Sequence, residues 1–194
     1  MVRLEGPPQH GVIREREYVI VCNAADAGLA PALRHIDQER GITVTEYVRS
    51  ASRRPSPAEL CDTLQRVHAL PRVQPAIDYE AYFERYWHDA GQPVEFADIR
   101  NQLRSVIENA PLGLCHHDPS EVNVVTTAGE LFFIDWEYAA WGCPIFDFAV
   151  LVDHWKFDVQ EVARLSGIEA EQLALAAALF RKLDSWWEAS RANG

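Results

Sequence analysis

The polar residues with the most regular spacing in the chain lie between residues 114 and 147. His116, Asp118 and Asn123 form the pattern H-x-D-x-x-x-x-N, and a second acid, Asp135, follows an apolar run. In-line phosphoryl transfer needs a carboxylate that orients an attacking hydroxyl and accepts its proton, and oxygen ligands that hold magnesium against nucleotide phosphates. Asp118 can supply the carboxylate, and Asn123 and Asp135 can supply the ligands. The stretch therefore predicts a phosphoryl-transfer site.

The two histidines of the pattern are predicted to differ. His116 lies two residues before Asp118, on the same side of an extended segment, where its ring can hydrogen-bond the backbone and fix the loop. His117 points the other way and is given no role. A metal-dependent hydrolase that uses both histidines with Asp118 is an alternative, weakened because the sequence has no second histidine cluster with ligand spacing. An ordinary polar turn with a strand-end acid is the structural alternative.

Short strands are predicted to carry these residues. The runs 122–125 and 131–134 are apolar and β-prone, and the sequence TTAGE between them is typical of a hairpin turn. Asp118 and Asp135 then lie at the two entrances of one hairpin. Periodicity and end signals also predict strands at 30–36 and 42–48 and helices at 14–27, from 57 onward, and at 78–90, 96–109, 146–155, 159–166 and 169–190.

Composition limits the class of protein. The 194 residues are 48% hydrophobic, which is enough to bury a core in one compact domain or two small lobes. The four cysteines, Cys22, Cys61, Cys115 and Cys143, are widely spaced and are expected to be reduced and mostly buried. The net charge of −11 argues against nucleic-acid binding. It suits a cationic substrate, and an ordinary solvated acidic surface is the more common alternative. No signal peptide or membrane span is indicated, so we expect a cytoplasmic protein.

The central stretch resembles the aminoglycoside phosphotransferase and choline/ethanolamine kinase group of protein-kinase-like enzymes. The sequence DWEYA at 135–139, followed by Asp147, is similar in particular to the choline/ethanolamine kinase branch. The resemblance implies that Asp118 is the catalytic base, and that Asn123 and Asp135 bind magnesium. It also implies that Asp147 braces the catalytic loop and that Glu137 assists at the metal or the substrate.

The same resemblance extends towards the amino terminus and implies ATP as the second substrate. Arg3, in the sequence VRLEG, matches a basic residue that reaches the nucleotide phosphates. Glu17, in the R-x-x-E pattern that begins at Arg14, matches the helix acid that pairs with it. The sequence TEYV at 45–48, which includes Glu46 and Val48, matches a hinge that contacts adenine largely through its backbone.

The implied fold class is α+β: a protein-kinase-like fold with a truncated small sheet lobe at 1–48 and a mainly helical lobe with a catalytic β-hairpin at 49–194. In the family, two strands and a phosphate-covering loop precede the Arg3 strand. We therefore expect either that Met1 is internal to a longer protein or that the chain is a trimmed form with poor or absent turnover. An uncovered Arg3 strand would leave a sheet edge that favours homodimers or aggregation.

The acceptor is predicted less directly. A quaternary ammonium group is held by aromatic faces and carboxylates. The candidates for such a cage are Trp141, Trp155, Trp186 and Trp187, with Asp153 and Asp184. Neighbouring Trp187 cannot face the same way as Trp186 on one helix, and simple packing of the helical lobe is the alternative. The sequence therefore predicts an ATP-dependent kinase for choline or ethanolamine. An aminoglycoside or thiamine kinase-like enzyme and a non-catalytic remnant of the fold are the other candidates.

Overall fold

The structure is a computed structural model that describes residues 1–4, 11–108 and 110–192, apart from the side chains of 191 and 192. Glu5 and Gly6 of the VRLEG pattern, and Asn109 at the predicted end of a helix, lie outside the described residues. The described part of the chain begins with a small antiparallel sheet and one helix, followed by a mainly helical part. The predicted α+β class is confirmed.

The first sheet has strands β1 (Val2–Leu4), β2 (Leu33–Asp37) and β3 (Ile42–Thr45), in the order β1-β3-β2. Helix α1 (Arg14–Asp26) precedes β2 and buries Ile20 and Ala24 completely. Both strands of the β2–β3 pair are shorter than the sequence predicts. Beyond the last paired residue of β3, the Glu46 backbone N–H still donates to the Ala32 carbonyl, at 2.8 Å.

The helical part contains the long helices of the fold. Its helices are α2 (Pro57–His68), α3 (Tyr79–Asp89), α4 (Phe96–Ile107), α5 (Ile145–Asp153), α6 (Val159–Ser166) and α7 (Ala170–Ala192). The start of α2 has the predicted capping box, because Ser56 Oγ accepts from the Glu59 N–H at 3.3 Å and the Glu59 carboxylate accepts from the Ser56 N–H at 2.9 Å. Local end signals of this kind are sufficient to place a helix start.

Two small strand pairs hold the central stretch. The predicted hairpin consists of β5 (Val124–Thr126) and β6 (Leu131–Phe133), with a 3₁₀ turn at Glu121–Asn123 before it. The second pair, β4 (Gly113–Cys115) with β7 (Ala140–Gly142), encloses the hairpin in sequence. Strand β7 is not predicted, because three residues are too few for an alternation pattern.

A single cluster of buried side chains extends from α1 to α7. In α7 the predicted apolar face is buried through Leu173, Ala176 and Leu179. The four cysteines are free thiols, as expected, and all are buried except the half-buried Cys22. Within 1–4, 11–108 and 110–192, no helix is both long and apolar enough to cross a bilayer.

The segment between β3 and α2 connects the two parts of the chain and is fixed to the hairpin. The Ala51 N–H donates to the Thr126 carbonyl at 2.7 Å, and the Thr126 hydroxyl donates to the Arg53 carbonyl at 2.9 Å. The proposed lobe boundary after residue 48 falls in this segment.

Candidate active site

The loop between β4 and β5 carries His116, whose ring is completely buried. Its Nε2 lies 3.1 Å from the Ile134 carbonyl oxygen, and its Nδ1 accepts from the Asp118 N–H at 3.3 Å. A carbonyl oxygen can only accept, so the ring proton is on Nε2. Burial lowers the pKa of the imidazole, which agrees with this neutral form. The ring thus makes the loop-fixing backbone contacts expected from the sequence.

Asp118 and Asn123 are hydrogen-bonded to each other. The Asn123 Nδ2 donates to Asp118 Oδ2 at 2.7 Å and lies 3.1 Å from the Asp118 carbonyl oxygen. This orientation leaves the amide oxygen of Asn123 as the atom that it would offer to a metal ion. Burial raises the pKa of the Asp118 carboxyl, against the lowering effects of a hydrogen bond from Ser120 and the His116 ring. A carboxylate with a raised pKa is a better proton acceptor.

Asp147, on α5, lies completely buried beneath this loop. Its two carboxylate oxygens accept from the backbone N–H groups of His116, at 2.9 Å, and His117, at 2.7 Å. A further contact of 3.0 Å joins Asp147 Oδ2 to Nε2 of His68, in the last turn of α2. Burial raises the pKa of the Asp147 carboxyl, but the His68 hydrogen bond and the neighbouring histidines outweigh it, so the pKa is lower than usual. Asp147 thus makes the bracing contacts expected of it.

Asp135 begins the loop after β6 with a φ of +61°. The Ile134 N–H donates to the Asn123 carbonyl at 2.9 Å, which brings the two predicted metal ligands to neighbouring backbone positions. Both offer oxygen, the donor that magnesium prefers. A cation already fits there, since an Arg3 guanidinium nitrogen lies 2.9 Å from Asp135 Oδ1. The donor set is therefore compatible with magnesium.

Arg3 is the centre of an ion-pair network. Its guanidinium contacts Glu17 Oε1 at 2.6 Å and Glu137 Oε2 at 3.0 Å. Arg14 contacts the same two acids, at 2.6 Å and 3.4 Å. Burial raises the pKa of the Glu137 carboxyl, as does Asp135, while the two arginines lower it. The Arg3–Glu17 pair expected from the sequence is therefore present, and it is joined to the Asp135 loop.

A small cavity of about 60 Å³ lies beside this network, with Arg3, Glu17, Thr45 and Asp135 in its lining. Glu46 and Val48 are not among the described residues that line it. The Glu46 carboxylate instead pairs with Arg34 at 2.8 Å, and its backbone N–H is bonded to Ala32. Any backbone contact of Glu46 with adenine would thus use its carbonyl oxygen.

A much larger cavity, of about 590 Å³, has Asp118 in its lining. Its lining combines rings and carboxylates with few positive groups. The rings belong to Tyr79, Tyr82, Phe83, Tyr86, Tyr138, Phe146, Phe180 and Trp187, the carboxylates to Asp118, Glu121, Asp153, Asp184 and Glu188, and the basic groups to His117, His154 and Lys156. An excess of carboxylates among aromatic faces suits a cationic ligand.

The aromatic wall is connected by hydrogen bonds. Tyr86 bonds to the hydroxyls of Tyr82 and Tyr138, and Tyr138 also bonds to Trp187. Burial raises the pKa values of all three phenols, so they stay protonated at neutral pH. The periodicity of α3 predicts core packing for its aromatic stripe. Tyr86 and Phe83 are buried as predicted, yet they also line the cavity, a double role without a separate sequence signal.

Of the predicted substrate residues, Asp153 lines the cavity, and its Oδ1 pairs with Arg181 at 2.7 Å. Trp155 is buried and donates to the Pro119 carbonyl at 2.8 Å. Trp186 is buried in the helical core, and Trp141 lies in β7. None of these three tryptophans is among the described residues that line the cavity, so the structure does not bring them together with Asp153 in one cage.

The phase of α7 explains the difference, since it directs Trp187 rather than Trp186 to the cavity. The same helix supplies Asp184, whose Oδ2 lies 2.6 Å from Nε2 of His154 at the end of α5. That hydrogen bond raises the pKa of the His154 imidazole, together with the charges of Asp184, Asp118 and Asp153 and against the effect of burial. Asp184 is one of the carboxylates that the sequence offers for the cage, whereas no sequence signal marks His154 as part of the cavity wall.

Residues 14–186 match the phosphotransferase enzyme family (APH). The chain belongs to this family. The resemblance to the aminoglycoside phosphotransferase and choline/ethanolamine kinase group is thereby confirmed. The thiamine kinase of Salmonella typhi is 28% identical over 190 residues, which cover 94% of this chain and 66% of that protein. The chain thus spans less than two thirds of that relative's length.

Solved kinase structures share the fold. The choline/ethanolamine kinase family protein from Mesorhizobium loti has a TM-score of 0.78 at 24% identity, over 96% of this chain and 71% of that one. Choline kinase LicA from Streptococcus pneumoniae has a TM-score of 0.80 at 22% identity, over 99% of this chain and 77% of that one. The predicted protein-kinase-like fold is confirmed.

Proposed function

We propose that this chain carries the site of an ATP-dependent phosphotransferase that acts on a hydroxyl of a small cationic molecule, with choline and ethanolamine as the first candidates. The observation that carries the proposal is the position of Asp118 in the wall of the aromatic, acidic cavity. A hydroxyl whose cationic end is held by that wall can give its proton to Asp118 as its oxygen attacks phosphorus. The bond to the leaving ADP oxygen breaks in the same transfer.

The remaining groups around Asp118 have compatible roles. Asn123 and Asp135 would hold magnesium, which when bound would offset charge on the transferring phosphate. Arg3 contacts the Asp135 carboxylate and is held in place by Glu17. From this position its guanidinium can turn to a phosphate oxygen. Glu137 also contacts Arg3 and is a second acid beside the proposed magnesium site.

The loop contacts support the transfer by fixing the base in advance. Asp147 holds the backbone N–H groups of His116 and His117, and the His116 ring holds the N–H of Asp118, so little ordering of the base remains to be done when substrates bind. At the other side of the nucleotide, the Glu46 carbonyl and the backbone of Val48 are the groups that we assign to adenine.

Thiamine is the second candidate acceptor. The cavity of about 590 Å³ is within the range of pockets for drug-sized ligands and is larger than choline needs. Thiamine has both a positive charge and a primary hydroxyl, and the thiamine kinase of Salmonella typhi is the relative described above. Both candidates use the same base and the same cation-binding wall.

The direct test is phosphorylation by the whole chain with magnesium and ATP. Choline, ethanolamine, thiamine and an aminoglycoside are compared, with ADP release and product mass as the measurements. We expect the highest kcat/KM with choline or ethanolamine, and an acceptor KM about tenfold higher in Trp187→Leu, since a lost cation–π contact costs about 1–2 kcal/mol. Trp87→Leu is the matched control, because Trp87 packs on Phe96 outside the cavity.

Absence of magnesium-dependent phosphorylation of all four acceptors would contradict the proposal. Calorimetry with magnesium and ATP then identifies the rival, because a non-catalytic remnant of the fold predicts little or no nucleotide binding.

A further inference from the structure

One ring in the wall of the large cavity has no part in the transfer described so far. His117 lies between His116 and Asp118, and its half-buried side chain is among the cavity residues. Its φ of +65° is in the left-handed region, which residues other than glycine and asparagine rarely adopt. The loop thus holds a histidine in an unfavourable backbone conformation directly before the base.

The two ring nitrogens of His117 contact different parts of the molecule. Nδ1 lies 3.1 Å from the Tyr138 carbonyl oxygen, and Nε2 lies 2.8 Å from the Tyr79 hydroxyl oxygen. That hydroxyl also accepts from the Cys143 N–H at 2.7 Å. The junction is tightly packed, because a Cβ placed on Gly142 would lie 3.1 Å from His117 Nε2.

These partners determine where the protons are. A carbonyl oxygen can only accept, so Nδ1 of His117 carries a proton and donates to Tyr138. In a neutral ring Nε2 then accepts, so the Tyr79 hydroxyl donates to it while accepting from Cys143. From donor to acceptor, the chain of hydrogen bonds therefore runs from Cys143 through Tyr79 and His117 to Tyr138.

Electrostatics agrees with a neutral ring. Burial lowers the pKa of the His117 imidazole to about 4, with Arg16 and His116 acting in the same direction and Asp147 and the Tyr138 carbonyl opposing. Burial also raises the pKa of the Tyr79 phenol, so its proton stays in place as a donor. At neutral pH the network therefore has one arrangement.

The contact joins two functional segments. The His117 N–H is bonded to Asp147, which fixes the loop of Asp118. Tyr138 follows the Asp135 loop, lines the cavity and bonds through its phenol to Tyr86 and Trp187. The ring of His117 is thus the direct link between the base loop and the aromatic wall.

We propose that His117 is a positioning residue, which fixes the position of Tyr138 in the wall of the acceptor cavity relative to Asp118. It does so through the hydrogen bond from its Nδ1–H to the Tyr138 carbonyl. This assignment rests on the proposed phosphotransferase function. His117 and Tyr138 both line the acceptor cavity, and neither is among the described residues that line the small cavity beside Arg3. Loss of the bond should therefore act on acceptor binding rather than on nucleotide binding.

Three variants separate the hydrogen bond from the backbone conformation. His117→Gly accepts the left-handed φ without a donor. His117→Asn also accepts it and places an amide N–H close to the position of Nδ1. His117→Gln offers an acceptor near the position of Nε2 but no donor near Nδ1. We expect an acceptor KM about tenfold higher in the Gly and Gln variants, a nucleotide KM within about twofold, and recovery of most of the effect in the Asn variant.

Two kinetic outcomes would overturn the assignment. An acceptor KM in His117→Gly equal to that of the wild type would mean that only the backbone conformation matters. A His117→Asn variant as impaired as His117→Gly would mean that the donor to Tyr138 is not the cause.

The tautomer can be measured without turnover, on the whole chain labelled with ¹⁵N-histidine. Long-range ¹H–¹⁵N spectra at pH 7 should show a neutral ring protonated at Nδ1, and its signals should be missing in His117→Asn. A neutral ring with its proton on Nε2 and none on Nδ1 overturns the assignment. Failure of the wild type to phosphorylate any acceptor instead contradicts the proposed function, so the two failures are distinguishable.

Discussion

The two halves of the candidate site hold their acids by different means. On the helical side, Asp147 is completely buried and accepts from two backbone N–H groups and His68. On the sheet side, Asp135 has a side chain that is 44% exposed and is held by the guanidinium of Arg3. One half depends on short, directed bonds to backbone, and the other on ion pairs between long side chains.

This difference indicates which half already has its binding geometry before ligands bind. Buried hydrogen bonds to backbone are strong and fix geometry, and unmaking them is costly. Partly exposed ion pairs are worth little, are weakened by salt and can exchange partners. The helical half, where we propose that the acceptor binds, is therefore organised in advance. In the sheet half, where we propose that the nucleotide binds, a metal ion and phosphates could replace the Arg3–Asp135 contact.

The largest effect is expected at Asp118, the proposed base. Asp118→Asn keeps the size of the side chain and removes its capacity to take a proton, so kcat should fall by about 10²–10⁴-fold with an unchanged fold. Turnover is measured beside circular dichroism, and Glu130→Gln, at an exposed turn of the same hairpin, is the control. Full activity in Asp118→Asn would show that Asp118 is not the base. The organisation of the helical half in advance would then have no explanation in proton transfer.

Stability should separate the two halves most directly. Asp147→Ala leaves two backbone N–H groups and His68 without their acceptor, so the free energy of unfolding should fall by about 3 kcal/mol. Arg3→Ala should cost less than about 1 kcal/mol, because the pairs it breaks are partly exposed. Urea denaturation of both variants measures the contrast, and equal losses would contradict it.

Sequence predicts the parts of this site that depend on local order. Asp118, Asn123 and Asp135 follow one another around a single hairpin, so their spacing alone brings them together. The capping box at Ser56 is local in the same way. The partners of these residues are distant, however: His68 lies 79 residues before Asp147, and no local pattern marks it as the residue that holds this acid.

The cavity wall is not predictable from the sequence for a related reason. The choice between Trp186 and Trp187 depends on how α7 rotates against α5 and α3, which tertiary packing decides. The interpretation of the α3 aromatic stripe as core correctly predicts that rings of the stripe are buried. Whether a buried ring also faces a cavity depends, however, on what packs opposite it. Tyr138 and His117 are joined through a carbonyl oxygen, which every residue has.

On the nucleotide half, the expected effect is on affinity. Arg3→Ala removes a charged donor that can move from Asp135 to a phosphate oxygen, so the KM for magnesium-ATP should rise about tenfold while the acceptor KM stays unchanged. Arg85→Ala, which breaks an exposed pair with Asp89, is the control. A larger change in acceptor KM than in nucleotide KM would show that the two halves are not separate in function.

The smallest effect concerns two carboxylate–histidine pairs, the buried Asp147–His68 and the more exposed Asp184–His154. The raised pKa of His154 means that its protonated form is favoured by folding, so its contribution is complete below the unfolded pKa of about 6.5 and is lost as pH rises through the higher folded pKa. The lowered pKa of Asp147 works in the opposite direction, and its contribution is lost only as pH falls below about 4. As pH rises above about 6.5, the free energy of unfolding of the wild type should therefore decrease relative to that of His154→Gln, by less than about 1 kcal/mol because the His154 side chain is 30% exposed. Asp184→Asn should lose the same pH dependence, and an unchanged slope in both variants would place the titration elsewhere.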